Sequence, residues 1–255
     1  MKPFYFISDV HLGACSGSEE HVRIQRLISF LKHIRDKADR LYIVGDLYNF
    51  WFEYRHAIPK VNLAILATFM QLVKDGVEIH YLTGNHDLWQ RNYLQDEVGF
   101  VIHHGPVVVE AFNQRLYVVH GDGLAHSDAW LRFTRKIFES RFNNMLFRLL
   151  HPDIGIALAN YWSRKSAEKG ENKFYDEYLK LATSKLKEGF DAFIYGHTHK
   201  PNLQVLSEGK FMINVGDWLT NFTYLSFTSD GFDLKAWNVN QNHTPKQELM
   251  EKRAV

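Results

Sequence analysis

Five short segments bring together side chains that can bind metal: Ser8-Asp9-Val10-His11, Gly45-Asp46, Gly84-Asn85-His86-Asp87, His120-Gly121-Asp122 and Gly196-His197-Thr198-His199. Asp9, His11, Asp46, Asn85, His120, His197 and His199 offer carboxylate, carboxamide and imidazole donors and no thiolate. Such a set suits Mn²⁺, Fe, Zn²⁺ or Co²⁺ and argues against a soft-metal or iron–sulfur centre. It is too large for one tetrahedral ion and suits two ions sharing a bridging carboxylate. Two ions about 3.5–4 Å apart clamp the attacking and leaving oxygens of an in-line displacement. Taken singly, Gly-Asp is usually a turn, and Asp-x-His or Asn-His-Asp a polar loop. Gly-His-Thr-His is the strongest of the five alone. Together they leave the bland reading little room.

These segments need elements to hold them, and each follows an apolar run. Phe4-Tyr5-Phe6-Ile7 reads as a buried strand, Leu41 to Val44 as a second and Val77 to Leu82 as a third. Between them, Glu19 to Lys37 and Val61 to Lys74 read as amphipathic helices, with Ile24, Leu27, Ile28, Leu31 and Ile34 at helical spacing in the first. Ser16 and Glu19 suggest a capping box, and Gly76 a stop. The βαβαβ order implies helices on a largely parallel sheet. Val107 to Phe112 and Leu116 to Val119 suggest a hairpin turning at Asn113-Gln114. The chain from Ser127 to Glu188 reads as helical. Strands resume at Ala192 to Tyr195, Phe211 to Val215, Thr223 to Phe227 and Phe232 to Trp237. The five donor segments thus all leave the C-terminal ends of strands, the edge where open α/β sheets form their sites. The glycines before Asp46, Asn85 and His197 are expected to permit tight turns there.

Composition narrows the class. The chain has 255 residues, 45% hydrophobic and 23% charged, with a formal net charge of +1. That excludes a mainly disordered chain, a collagen and a coiled coil. One cysteine, Cys15, excludes an internal disulfide. The near-neutral balance gives no support to a nucleic-acid partner. No stretch approaches the ~18 apolar residues of a membrane span. The run Phe4 to Ile7 falls short of the roughly 7–15 apolar residues of a signal-peptide core. The expected location is therefore cytoplasmic. Of the fourteen histidines, those outside the five segments, such as His80 and His103, read as surface or satisfied core residues, with His126 and His151, near the expected lid, as mild exceptions.

Asp-x-His, Gly-Asp, Gly-Asn-His-Asp, a further His and Gly-His-x-His, in that order from Phe4 to Val239, resemble the calcineurin-like metallophosphoesterases. The resemblance implies a four-layer α/β/β/α sandwich with an inserted helical lid. It implies that Asp9, His11, Asp46 and His199 bind one metal ion and that Asp46, Asn85, His120 and His197 bind the other, with Asp46 bridging. It also implies that a hydroxide bridging the ions attacks phosphorus. His86 would act near the leaving group as general acid or charge stabiliser, oriented by Asp87.

The insertion narrows the resemblance. Residues 1–126 and 189–239 are expected to form one discontinuous core, 127–188 a helical lid and 240–255 a polar tail. Phe6-Ile7-Ser8-Asp9-Val10-His11-Leu12, Tyr42 through Trp51, His120-Gly121-Asp122 followed by Asp128, the long insertion and the overall length resemble the UDP-2,3-diacylglucosamine hydrolases. That resemblance implies Mn²⁺-dependent cleavage of a UDP-linked glycolipid to UMP and 2,3-diacylglucosamine 1-phosphate, in lipid A biosynthesis. Asn85, Asp128, Ser166, Lys173 and His197 would touch substrate, with His86. Arg164 and Lys165 join them on charge and placement in the lid. An apolar and basic lid edge would give peripheral contact with the inner face of the cytoplasmic membrane. Many members of that family carry arginine where this chain has His86, so a general phosphodiesterase or protein phosphatase is the alternative. A non-catalytic scaffold should have lost ligands that this chain keeps. Oligomeric state and acyl-chain length have no signal in the sequence.

Overall fold

Strand β1 (Phe4–Ile7) is buried at every position because helices cover one face of its sheet and a second sheet the other. The computed structural model describes residues 1–60, 62–87, 89–124, 140–158 and 175–238. In chain order the elements are β1, α1 (Gly17–Ile34), β2 (Arg40–Val44), α2 (Leu63–Lys74), β3 (Glu78–Leu82), a π-helical turn at Leu94–Val98, β4 (Val101–His103), β5 (Val107–Ala111) and β6 (Gln114–Val118). After these come α3 (Arg141–Leu149), a short helix over 152–158, and α4 (Tyr175–Lys187). Strands β7 (Ala192–Tyr195), β8 (Asn202–Ser207), β9 (Lys210–Asn214), β10 (Thr223–Thr228) and β11 (Gly231–Ala236) complete the fold.

The strands form two sheets, one ordered β11-β10-β1-β2-β3-β4 and the other β5-β6-β7-β9-β8. Strands β1 to β4 run parallel, as the βαβαβ reading requires. In the second sheet β6, β7 and β9 run parallel. Alternate residues point to opposite faces. Phe6, Tyr42, Val44 and Leu82 therefore meet Val118, Ile194 and Ile213 between the sheets. Tyr5, Ile7, Ile43 and Tyr81 face the layer of α1 and α2, where Leu27, Leu31, Ile65 and Phe69 are buried. Phe193 and Tyr195 pack beneath Tyr178 and Ala182 of α4. These are the four layers, α/β/β/α. Helix α4, within the segment assigned to the lid, thus covers the outer face of the second sheet. Of the rest of 127–188, residues 127–139 and 159–174 lie outside the described residues.

Local chemistry differs from the sequence reading in places. Ser16 makes no side-chain cap. Glu20, not Glu19, serves the turn, accepting from the amides of Gly13 and Cys15. Helix α2 starts on Asn62, whose side chain accepts from the Ala64 amide at 3.0 Å. The β5–β6 hairpin turns at Phe112-Asn113, one residue earlier than expected. Both have positive φ, 50° and 60°, as a two-residue type I′ turn requires. Strands β4 and β8, unmarked by any apolar pattern, lie at sheet edges. Among the described residues no helix is long and apolar enough to cross a membrane.

Candidate metal centre

The parallel strands of both sheets end on one side, and all seven expected donors stand on the loops they release. Asp9 and His11 follow β1, Asp46 follows β2, Asn85 follows β3, His120 follows β6, and His197 and His199 follow β7. Three close groups result: Asp9 with His11 and His199, His11 with Asp46 and His86, and Asp46 with His120 and His197. His199 Nε2 lies 3.3 Å from Asp9 Oδ1, and His11 Nε2 lies 3.7 Å from both Asp9 Oδ1 and Asp46 Oδ2. His120 Nε2 is 3.2 Å from the same Asp46 oxygen. Asp46 therefore stands between the two halves of the site.

The backbone bends sharply to make this arrangement. Asp9, His11, Asp46, His197 and His199 all have φ between 47° and 63°. Non-glycine residues in this left-handed region cost of order 1–3 kcal/mol each and persist where the surroundings impose them, often at functional sites. Packing leaves no room for side chains at Gly45, Gly84 and Gly196. A Cβ on Gly84 would lie 2.1 Å from Asp46 Oδ1, and one on Gly196 would lie 1.9 Å from Ser8 Oγ. These two glycines do not adopt positive φ; the close approach of Asp46 to one and of Ser8 and Asp9 to the other requires them, whereas Gly45 has both constraints.

Several donor atoms are buried without a hydrogen-bond partner: Asp9 Oδ1, His11 Nε2, Asn85 Oδ1 and His120 Nε2. Buried polar atoms are normally satisfied, and each lapse costs roughly 1–3 kcal/mol. Cations in the two halves of the site would satisfy them, so the residues fit the divalent metals that the donor set implies. Their other atoms are engaged. His120 Nδ1 is 2.8 Å from the Val44 carbonyl, which places its hydrogen there and leaves Nε2 as the ligand atom. Asp9 Oδ2 accepts from the His197 amide at 2.8 Å and from Ser8 Oγ. Asp46 Oδ1 accepts from the His86 amide at 3.0 Å.

The electrostatics favour positive charge at this place. Burial alone would raise the pKa of Asp9, but the neighbouring His11 and His199 imidazoles hold it well below the usual carboxylate range. Burial opposes the charge on Asp46 as well, and His120 and His86 outweigh it. His199 goes up to about 9, since Asp9 overcomes the burial that would lower it. Burial, then the charge of His120, brings His197 down to about 4, a neutral imidazole suited to ligation.

His86 and Asp87 divide their work differently from the expectation. The His86 ring is held through Nδ1 by the Asn49 carbonyl at 3.0 Å, and its Nε2 lies 4.0 Å from Asp46 Oδ2. Asp87 accepts from the Gly84 amide at 2.7 Å, the Tyr48 amide at 3.4 Å and the Tyr81 hydroxyl. Burial and the charge of Asp46 raise its pKa to about 7. Asp87 thus shapes the loop, and Asn49 orients His86. Asn49 gave no sequence signal because it acts through its backbone. Asn214, also unmarked, braces the Gly196–His199 loop through the Gly196 carbonyl and Thr198 Oγ1. Asp128, Arg164, Lys165, Ser166 and Lys173 lie outside the described residues.

Comparison with known proteins agrees with this geometry. The calcineurin-like phosphoesterase profile matches residues 2–201. A UDP-2,3-diacylglucosamine hydrolase of Porphyromonas gingivalis is 30% identical over 86% of this chain and 92% of its own. Enzymes of the same description from Vibrio atlanticus and Shewanella sp. are 28% and 30% identical. Each alignment covers 91% of this chain and 96% of the relative.

Proposed function

The chain belongs to the calcineurin-like phosphoesterase family, and from that premise we propose that it hydrolyses the pyrophosphate bond of UDP-2,3-diacylglucosamine, releasing UMP and 2,3-diacylglucosamine 1-phosphate. It is a metal-dependent hydrolase of phosphate ester or anhydride bonds. The substrate reading rests on the relative aligned along nearly its whole length. The two-ion reading rests on the position of Asp46 between two ligand groups.

Two divalent ions, with Mn²⁺ expected, would neutralise phosphate charge and bring the pKa of water towards neutrality. Asp9, His11, Asp46 and His199 would hold one, and Asp46, Asn85, His120 and His197 the other. The protein's own groups do the rest. Backbone carbonyls fix the tautomer of His120 and the orientation of His86. Protonated, His86 donates from Nε2 toward the oxygen that leaves, while Nδ1 keeps its hydrogen on Asn49. Asp128, Arg164, Lys165, Ser166 and Lys173 would bind the substrate from the insertion.

In the insertion, Phe142, Met145, Leu149 and Ile154 are exposed. They would give an enzyme of the cytoplasm apolar contact with the bilayer that holds its substrate. Co-sedimentation with anionic liposomes tests this, and no binding at low salt would count against it. The main test is UMP release from UDP-2,3-diacylglucosamine by the Mn²⁺-loaded protein, with His120→Ala as control. Cleavage of a simple aryl phosphodiester without UMP release would favour the second reading, a general phosphodiesterase. That reading has His86 in its favour, at a position where the lipid A enzymes commonly carry arginine.

A further inference from the structure

Helix α1 carries a charged residue on its buried face. Arg23 is buried beside Ile24 and Leu27, and its guanidinium faces backbone rather than the ligand atoms. Its Nε donates to the Trp218 carbonyl at 3.3 Å. One terminal nitrogen donates to the Val10 carbonyl and lies 3.5 Å from the His11 carbonyl. The other meets Glu20 at 2.6 Å. Glu20 turns back to the same loop, accepting from the Gly13 amide at 2.7 Å and the Cys15 amide at 3.3 Å. The Trp218 amide completes the circuit by donating to the Asp9 carbonyl at 3.1 Å.

The loop held in this way needs holding. Asp9, His11 and Gly13 all have left-handed backbone, with φ of 51°, 47° and 91°. At the first two the side chain makes that conformation unfavourable. A guanidinium has a rigid fork of divergent donors and can reach carbonyls on two chain segments at once. A lysine ammonium is a compact point charge on a flexible stem and reproduces only part of this. Glu20 provides the counter-charge that a buried arginine requires.

We propose that Arg23 is a positioning residue for the metal centre. By clamping the Val10, His11 and Trp218 carbonyls it sets the direction in which Asp9 and His11 present their ligand atoms. It thereby sets the affinity for the ion held by Asp9, His11 and His199. The inference rests on the metal-centre reading given under Proposed function. Asp46, His120 and His197 stand on other loops, so the second ion should respond far less.

The test is Mn²⁺ titration of folded protein by calorimetry, with electron paramagnetic resonance of the bound ion. The proteins are wild type, Asp9→Asn, His197→Ala, Arg23→Lys, Arg23→Met and Glu20→Gln. Asp9→Asn and His197→Ala identify the two ions. Arg23→Lys is expected to weaken the Asp9-dependent ion about 10–100-fold, the range found for residues that orient metal ligands. It should also change the spectrum of that ion and spare the His197-dependent one. Glu20→Gln should do the same to a smaller degree. If Arg23→Met does not fold, Arg23→Lys and Glu20→Gln decide. Arg23 variants that lose thermal stability and keep wild-type affinity for the Asp9-dependent ion would overturn the proposal, leaving Arg23 a structural residue. Unchanged Mn²⁺ binding by Asp9→Asn would overturn the metal-centre reading and this proposal with it.

Discussion

His86 Nδ1 lies 3.0 Å from the carbonyl oxygen of Asn49. A carbonyl only accepts, so the hydrogen resides on Nδ1 and Nε2 is the atom turned toward Asp46. The ring stands edge-on to His11, with centroids 4.7 Å apart, and so belongs to the site. His86→Ala is expected to lower kcat by roughly 10²–10⁴, the range for a positioned proton donor, with metal content unchanged. Steady-state kinetics beside elemental analysis checks both. Metal loss in this variant would make His86 a ligand instead.

Asp46 serves both halves of the site, with one oxygen 3.7 Å from His11 and 3.2 Å from His120. Asp46→Asn should therefore deplete both ions, whereas Asp9→Asn and His120→Ala should each deplete one. The measurement is metal per protein after desalting. An Asp46→Asn protein that retains its full metal content would rule out a shared carboxylate.

Gly196 is fixed by space. A Cβ there would stand 1.9 Å from Ser8 Oγ and 2.6 Å from Asp9 Oδ2. Gly196→Ala should destabilise the fold by about 1–3 kcal/mol, the usual cost of overpacking, and weaken the Asp9 ion. Gly105 has open space at its Cβ and no positive φ, so Gly105→Ala is the control. Urea unfolding of the two, with equal midpoints, would refute the spatial argument.

The donor segments could be read from the sequence because each follows a strand whose last residues are largely apolar, and β1 and β7, buried at every position, are unbroken apolar runs. The α/β character could be read from the alternation of such runs with helical patterns, whereas the layer order came from the family resemblance. The edge strands β4 and β8 carry no such mark. In β8 (Asn202–Ser207) no residue is fully buried, and β4 has only three residues. Residues that act through backbone leave no trace either. Asn49 orients His86 by its carbonyl across 37 positions of sequence. Arg23 occupies a helix position whose polarity contradicts its burial. The capping box suggested by Ser16 and Glu19 gave way to Glu20, because the carboxylate nearer Arg23 gains a buried counter-charge.

His80 and His103 stack on neighbouring strands, with Nδ1 and Nε2 respectively 3.0 Å apart. Burial lowers the pKa of both, and His103 is lowered further by the charges of His80 and His104. Their folded-state pKa values thus lie below the ordinary value of 6.5. As pH falls through about 6.5 the unfolded chain takes up these protons first. The stability they contribute is present above that pH and is lost progressively below it. Thermal unfolding of metal-free protein at pH 7.5 and 5.5 should show a smaller acid-induced drop in Tm for His103→Gln than for wild type. An equal drop would assign the acid sensitivity elsewhere.

Phe147 of α3 connects the insertion to the loop that orients His86. Its ring lies 6.1 Å from Phe50, 4.7 Å from Phe52 and 5.6 Å from Trp89. Phe50 directly follows Asn49. Helix α3 therefore reaches the loop that carries Asn49 through an aromatic cluster, while the expected metal ligands are held by other contacts. Phe147→Ala should loosen the insertion and leave the centre intact. Turnover of an aryl phosphodiester should stay within about twofold, and KM for the glycolipid should rise about tenfold, or ~1.4 kcal/mol. Equal losses on both substrates would show that the cluster supports the His86 loop itself, and substrate selection would then have to arise elsewhere in the insertion.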